Sequence, residues 1–347
     1  MMKIAVYTIA KNEERFVERW AESSKDADYR FILDTGSSDN TVAAAVALGI
    51  EVAVASINPW RFDDARNTAL ALLPADIDFC IALDMDEILV DGWREHLEQV
   101  KSETTRPRYQ YTWSWNGDKP GLQYGADKIH RRHGYRWKHP VHEVVVADRT
   151  QEVQEWIGLE IHHHPDPTKS RGQYFPLLEL AVKEDPTDDR NQYYLAREYF
   201  LNKMYDKALQ MFKRHVSNPK ATWGPERAAS FRYMAKCAPE NAENYLVQAI
   251  QEAPGRREAK VELAQHYYTK QSWEECLDWA KLALLIETKP LDYLCEEFAW
   301  GELPYDLAAI AAYNLGDKKT ACHYGEIALS LRPEDARLAR NMDFYRS

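Results

Sequence analysis

The stretch Phe79-Cys80-Ile81-Ala82-Leu83-Asp84-Met85-Asp86-Glu87 runs a mostly apolar segment straight into three carboxylates. A continuous apolar run of this kind reads as a strand covered on both faces, as in a parallel sheet. Ligands of open α/β sheets bind in the crevice beyond the carboxyl ends of the strands, which puts Asp84 and Asp86 where a ligand binds. Two aspartates one residue apart at the mouth of a sheet suit a hard divalent cation, Mn2+ or Mg2+, that also holds a diphosphate. The spacing alone carries little, because Asp26/Asp28 and Asp76/Asp78 share it. Only the strand in front sets Asp84/Asp86 apart.

Working back from it, Lys3–Ile9 is rich in β-formers and opens the chain as a strand. Ala10–Glu14 turns into a helix with Phe16, Val17 and Trp20 at helical spacing. Arg30–Leu33 is a second strand and ends on Asp34. The small polar run Thr35–Thr41 is a turn, with Asp39 placed to cap a helix over Val42–Leu48 that Gly49 ends. Ile50–Ala55 is a third strand, and Asp63–Asn67 starts another helix. This alternation implies a parallel sheet with right-handed crossovers. No Gly-x-Gly-x-x-Gly and no Gly-Lys-Ser/Thr occurs, so dinucleotide and P-loop readings lose their fingerprints. What remains is a nucleotide site built from acids and a metal. An aspartate at a strand end accepts hydrogen bonds from a base or ribose, and a cation on Asp84/Asp86 neutralises a departing diphosphate.

The chain has 347 residues, enough for two domains with separate cores. With 44 basic against 55 acidic residues its formal net charge is −11, which gives no general attraction to nucleic acid or anionic lipid. Five scattered cysteines without a C-x-x-C pair read as reduced, mostly buried thiols. Met1–Ala10 is too short for a signal h-region with a cleavage site, and no stretch reaches transmembrane length, so a cytoplasmic location without membrane contact is expected.

From Asn191 the pattern is helical and repeats. Tyr199, Tyr233 and Tyr267 recur every 34 residues, and Ala208, Ala242 and Cys276 keep the same step. That is the tetratricopeptide (TPR) period, one helix-turn-helix pair per unit. Pro219, Pro254 and Pro333 mark boundaries, and a fourth unit near Ala312–Ala321 follows an insertion, Lys289–Pro304, that breaks the register. Such units stack into a superhelix whose concave face takes extended partners, or they supply a homodimer surface.

Four stretches carry a family resemblance: TIAKNEE (Thr8–Glu14), LDTGSSDNT (Leu33–Thr41), FDDARN (Phe62–Asn67) and LDMDE (Leu83–Glu87). With them in this order, the chain resembles the family 2 glycosyltransferases of GT-A fold, most closely the branch with a TPR tail. The resemblance implies a Rossmann-like, mostly parallel α/β catalytic domain over 1–172, a linking helix over 173–190 and an all-α TPR superhelix over 191–347. It implies a metal-dependent hexosyltransferase that moves a sugar from a nucleotide-diphosphate donor, expected to be a uridine one, to a hydroxyl or thiol with inversion. The acceptor stays open among a peptide, a saccharide and a hydroxymethylated DNA base.

By the same resemblance, the backbone around Thr8 and Ile9, with Asn12 and Glu14, cradles the nucleotide. Asp34 contacts the base, Arg66 lies near the diphosphate, and Asp84 and Asp86 bracket ribose, metal and diphosphate. A downstream histidine completes the metal shell in many such enzymes, which nominates His162 or His164. In a strand those two share a side and His163 faces the other way, and an imidazole ligand would favour Mn2+ over Mg2+. Glu143, in the pair His142-Glu143, is the general base that takes the acceptor's proton, with Glu87 or Asp127 in reserve.

Four further stretches are legible. Leu89–Val100 reads as a surface helix. Tyr109, Tyr111, Trp113 and Trp115 alternate as in a strand and fit packing better than a sugar platform. The basic residues Lys128, Arg131, Arg132, Arg136 and Lys138 cluster in sequence as if to follow a phosphate backbone. Thr168–Gly172 is a polar, basic loop suited to close over a diphosphate. The competing reading is a TPR adaptor fused to a degenerate transferase domain; against it, every acidic position of the amino-terminal motifs is present.

Overall fold

Ile4-Ala5-Val6-Tyr7 is wholly buried because alternate side chains enter two cores, Ile4 and Val6 one, Ala5 and Tyr7 the other. A computed structural model describes residues 2–166, 172 and 174–347. It divides into two compact units, Met1–Ala181 and Val182–Ser347. The division falls inside the segment 173–190 that the sequence reads as a linking helix.

The first unit begins β1 (Ile4–Ala10), α1 (Glu14–Ser23), β2 (Tyr29–Asp34), α2 (Thr41–Ala47), β3 (Glu51–Val54), α3 (Phe62–Leu72) and β4 (Phe79–Ala82). It continues with β5 (Glu87–Leu89), α4 (Trp93–Glu98), β6 (Arg106–Thr112), β7 (Trp115–Asn116), β8 (Lys119–Pro120) and β9 (Gln123–Ala126). Then come β10 (Ile129–Arg131), β11 (Tyr135–Lys138), β12 (Val144–Ala147), β13 (Gln154–His163) and α5 (Tyr174–Glu184), whose last turn lies in the second unit. Among the described residues the main sheet has the order β10-β4-β1-β2-β3, parallel except for β10. The chain steps outward from β1 to β3 and returns to β4 on the other side of β1. The crevice beyond β1 and β4 is therefore a topological switch point, the place where such sheets bind ligands.

A second sheet, β5-β13-β6-β9, begins as soon as the first ends. The chain leaves β4 at Ala82, passes through Leu83–Asp86 and enters β5, which pairs antiparallel with β13. The expected surface helix is thus two elements. Leu89 is a buried strand residue, and Trp93 and Leu97 of α4 are buried as well. Tyr109 and Tyr111 pack into the core as alternation suggests, while Trp113 and Trp115 lie beyond β6 and are partly exposed.

Under the main sheet, β11 is joined to β1 and β10 by a buried polar chain. The Tyr7 hydroxyl accepts from the Trp137 indole N–H (2.8 Å) and donates to His130 Nε2 (3.2 Å), and His130 Nδ1 meets the Arg131 carbonyl (2.8 Å). Burial pushes the His130 pKa down to about 4, with the Arg131 carbonyl only partly opposing it. An unfolded imidazole holds its proton up to about 6.5, so acid favours the unfolded chain. Stability is full above that value and should fall by about 3 kcal/mol as the pH drops from there to about 4. Denaturation midpoints against pH should lose this slope in His130→Gln; an unchanged slope would assign it to other groups.

The second unit, among the described residues, holds four helix pairs and a closing helix. The pairs are α6/α7 (Asp189–Leu201, Tyr205–Val216), α8/α9 (Gly224–Cys237, Ala242–Glu252), α10/α11 (Glu258–Thr269, Trp273–Leu284) and α12/α13 (Leu303–Asn314, Lys318–Leu331), followed by α14 (Ala336–Arg346). The 34-residue step is visible in space. Tyr199, Tyr233 and Tyr267 lie on the first helices of three pairs, and Ala208, Ala242 and Cys276 on the second. Ala208 and Cys276 are fully buried and Ala242 partly so, where helices approach closely. Among the described residues no helix is long and apolar enough to cross a membrane.

Candidate active site

The ends of β1, β2 and β4 bring the expected donor-site residues together. Thr8 and Ile9 lie beside Ile32 and Leu33 of β2, and on the other side the Leu83 N–H donates to the Tyr7 carbonyl (3.0 Å). Thr8 is buried, with its hydroxyl on the Ile9 carbonyl (3.2 Å). Asn12 takes a left-handed backbone (φ 57), which asparagine tolerates better than most residues. Its side-chain oxygen accepts the Ser38 N–H (2.7 Å), and Glu14 accepts from the Asn40 N–H and amide (3.2 and 2.8 Å). Asn12 and Glu14 therefore lace the β1–α1 loop to the β2–α2 loop.

Asp34 is almost fully buried and braces its own turn. Its carboxylate accepts from the Gly36 and Ser37 N–H groups (both 3.0 Å) and from the Ser37 hydroxyl. Gly36 has φ 106, a backbone that other residues rarely adopt. A base would meet Asp34 only through the lone pairs this turn leaves over.

Arg66, buried on α3, is the centre of the site. It donates from Nη2 to Asp84 (2.6 Å) and from Nε to Glu143 (2.5 Å), and its guanidinium lies over the Trp137 ring at 4.8 Å. Its Nη1 is buried with no hydrogen-bond partner. Asn67 holds β11 in place, its amide exchanging two hydrogen bonds with the Trp137 backbone (2.9 and 2.8 Å). This fixes the start of the segment that carries Glu143, where His139 and His142 both have positive φ (85 and 51).

Lys128, which precedes β10, donates to Asp84 (2.8 Å) and to Glu87 (3.0 Å). Glu87 also accepts the Tyr111 hydroxyl (2.6 Å) and the Asp84 N–H (2.8 Å). Burial alone would raise the Asp84 pKa, but Arg66 and Lys128 outweigh it and hold the carboxyl far below the usual range. Burial pushes the Glu87 pKa up despite Lys128, helped by the neighbouring Asp84 charge. With its oxygens occupied and no exposure, Glu87 is a brace and not a reserve base. Asp127 pairs with Arg106 (3.3 Å).

Asp86 has different company. Its carboxylate lies 3.4 Å from His163 Nε2, while His163 Nδ1 meets the Trp113 carbonyl (3.0 Å). Burial lowers the His163 pKa, but Asp86 and the Trp113 carbonyl outweigh it and raise the group overall. The residues expected to hold a metal, Asp84, Asp86, His162 and His164, have different neighbours. Asp84 is already neutralised by two cations, and His162 and His164 turn to Trp115 (4.8 and 5.3 Å between rings). The alternation holds, but the register of β13, with His163 opposite Glu87, aims His163 at the acids. Asp86 and His163 thus bring a carboxylate oxygen and an imidazole nitrogen to one spot, the donor types that suit Mn2+, and the Trp113 carbonyl directs the imidazole as an outer-shell partner does. The one three-residue group of compact metal-ligand geometry among the described residues is elsewhere: Asp189, His215 and Glu226, within 4.8 Å of one another.

Beside Asp86 a cleft of about 930 Å³ is lined by Arg15, Phe16, Arg19, Trp113, Trp115 and His164. Arg19 Nε and Nη2 are buried there without partners. The basic cluster seen in sequence is dispersed: Arg131 binds the Thr104 and Ser102 carbonyls, Arg132 those of Pro74 and Leu73, and Arg136 pairs with Asp148. Residues 168–171 of the expected lid lie outside the described residues. Lys128 and His163 were missed as site residues because each arrives by a strand pairing distant in sequence.

A mostly parallel α/β unit with acids and cations at its switch point, followed by a helical-pair array, is the class that this fold and site define. No protein-family model matches the chain. It is 31% identical over 108 residues to an uncharacterized glycosyltransferase of Rickettsia bellii, covering 31% of this chain and 35% of that one. It is 28% identical over 180 residues to a TPR repeat-containing protein of Synechococcus elongatus, covering 47% of this chain and 42% of that one. The chain thus spans less than half the length of these curated relatives. Among solved structures, a TPR protein of Thermus thermophilus matches with TM-score 0.34 and 19% identity over 50% of this chain and 89% of that one. PilF of Pseudomonas aeruginosa matches with TM-score 0.39 and 15% identity over 49% of this chain and 71% of that one.

Proposed function

We propose that the first unit is a glycosyltransferase that takes a nucleotide-diphosphate sugar, with uridine as the expected base, and transfers the sugar to a hydroxyl or thiol with inversion. The observation that carries this reading is Arg66: a buried guanidinium at the strand ends, braced by Asp84 and Glu143, with Nη1 unpartnered. A buried charged donor without an acceptor is costly, and a phosphoryl oxygen in the crevice would satisfy it. Lys128 adds a second cation beside it. Asp86 and His163 would hold a divalent cation, Mn2+ better than Mg2+, which when bound supplies countercharge to the diphosphate.

As the acceptor oxygen or sulfur bonds to the anomeric carbon, the carbon–oxygen bond to the diphosphate breaks. The charge left on the diphosphate is met by Arg66 and Lys128, and the acceptor's proton passes to Glu143. The half-exposed faces of Trp113 and Trp115 and the free donors of Arg19 favour a saccharide or peptide acceptor in the adjoining cleft. The dispersal of Arg131, Arg132 and Arg136 speaks against a DNA acceptor.

The test is nucleoside diphosphate release from a panel of sugar nucleotides with Mn2+, Mg2+ or chelator and no acceptor. Slow, metal-dependent release from one donor is expected; neither release nor binding of any donor would overturn the reading. Once an acceptor is found, Glu143→Gln should keep donor affinity within a few-fold yet slow transfer by roughly 10²–10⁴. Transfer at the parent rate would remove Glu143 from the chemistry.

A further inference from the structure

The helical array carries one connection unlike the others. Residues 285–302, between α11 and α12, form no regular element except a short 3-10 turn, Glu297–Ala299. This strap lies along the first helices of three successive pairs. Tyr293 donates its hydroxyl to Glu226 of α8 (2.6 Å), and its ring meets Tyr194 of α6 and Trp223 (6.5 and 5.5 Å between centroids). Asp292 accepts from Arg256 (2.6 Å), and Glu296 pairs with Arg232 of α8 (2.7 Å). Glu258 of α10 accepts the Glu296 N–H (3.2 Å) and the Trp300 indole N–H (3.4 Å), while Arg257 lies 4.2 Å over the Trp300 ring.

The strap combines local turns with contacts of the kind a bound peptide makes. Asp292, Glu296 and Glu297 close turns within it, and further hydrogen bonds run outward to side chains on or beside the helices it lies along. Its carboxylates meet arginines and its aromatic residues meet arginine and tyrosine faces, which are the usual terms on which a protein recognises an acidic, aromatic segment. Anchoring is uneven: Leu294, Cys295 and Ala299 are buried, whereas Leu285, Glu287, Thr288, Lys289 and Leu291 are exposed. The Ile286 carbonyl accepts from Arg257 (2.8 Å), so the largely exposed stretch 287–291, between two held parts, is where the strap can lift.

We infer that the face formed by α6, α8 and α10 is a receptor for an extended acidic segment bearing aromatic residues, and that residues 285–302 occupy it as a tethered internal ligand. A tethered ligand acts at a high effective concentration, on the order of millimolar for short flexible connections. An outside segment of the same chemistry must therefore outcompete the strap before it can dock.

The test uses the full chain and a labelled peptide of residues 288–300 with Cys295→Ser. In the triple variant D292N/Y293A/E296Q, amide hydrogen exchange over 285–302 should rise at least tenfold while α6 to α13 keep their protection. The labelled peptide should bind this variant at least tenfold more tightly than the parent, and a peptide also carrying D292N and E296Q should not bind. The inference is overturned if strap exchange does not rise, since the named anchors then hold nothing. It is equally overturned if exchange rises but the peptide fails to bind, or binds parent and variant alike. Loss of protection in the helices together with the strap would make the strap a structural part of the array and not a displaceable ligand.

Discussion

Arg66→Met is expected to destabilise the first unit by about 3–5 kcal/mol, because it leaves two carboxylates facing a buried site without their shared cation. Methionine keeps much of the side chain's bulk over Trp137 and so isolates the charge. Asp84 would retain Lys128, whereas Glu143 would lose the partner that holds it at the site. Arg66→Lys should recover part of the loss, since a lysine reaches one carboxylate but does not fork between two. The pH dependence has a definite sign. The Asp84 pKa is depressed in the folded chain, so its contribution is present above the ordinary carboxylate range and fades as pH falls toward the depressed value. The gap between parent and variant should therefore be widest above about pH 5 and narrow in acid. Hydrogen exchange of the β1 and β4 amides reads the first unit separately from the helical one. A loss below about 1 kcal/mol would show that this cation carries none of the stability ascribed to it.

Asp86→Asn should do the opposite: little to stability and much to activity. Asp86 is partly exposed, and its carboxylate lies against His163. Removing its charge takes away one of the two groups that fit a cation. Donor turnover should fall by roughly a hundredfold or more. A second readout needs no turnover. Uridine diphosphate with Mn2+ should raise the unfolding temperature of the parent, since a ligand at a hundred times its Kd adds about 2.7 kcal/mol. In Asp86→Asn the metal-dependent part of that rise should vanish while the metal-independent part, held by Arg66 and Lys128, persists. Full turnover and an undiminished metal effect in the variant would exclude Asp86 as a ligand.

The two halves of the chain differ in how much their residues disclose. β1, β2 and β4 are readable because strands covered on both faces are apolar throughout, and an acid at the end of such a run has few reasons to be there. The helical pairs are readable because a repeat is a local event written several times. His163 and Lys128 are not readable in this way. Alternation along β13 correctly separates His163 from its neighbours, but which side looks toward Asp86 depends on pairing with β5, far away in sequence. Lys128 sits in a run of basic residues of which Arg131 and Arg132 are spent on backbone carbonyls and Arg136 on Asp148, and only the antiparallel pairing of β10 with β4 brings it to Asp84. The strap is hidden for a related reason: it breaks the period that makes the rest of its unit legible.

The passage of the chain from β4 to β5 has a mechanical consequence. Asp84 is clamped to the first sheet's machinery, through Arg66 on α3 and Lys128 beside β10, whereas Asp86 is tied to the second sheet through His163 on β13. The two acids are two residues apart in sequence and sit in one compact unit, where both sheets share a core and Glu87 of β5 also accepts the Asp84 N–H, yet their side chains are held from different sheets. A ligand that engages both acids works as a rivet across that seam. If the proposed function holds, substitutions in the second sheet that move His163 should weaken cation binding through Asp86 while leaving the Arg66 and Lys128 contacts to Asp84 in place.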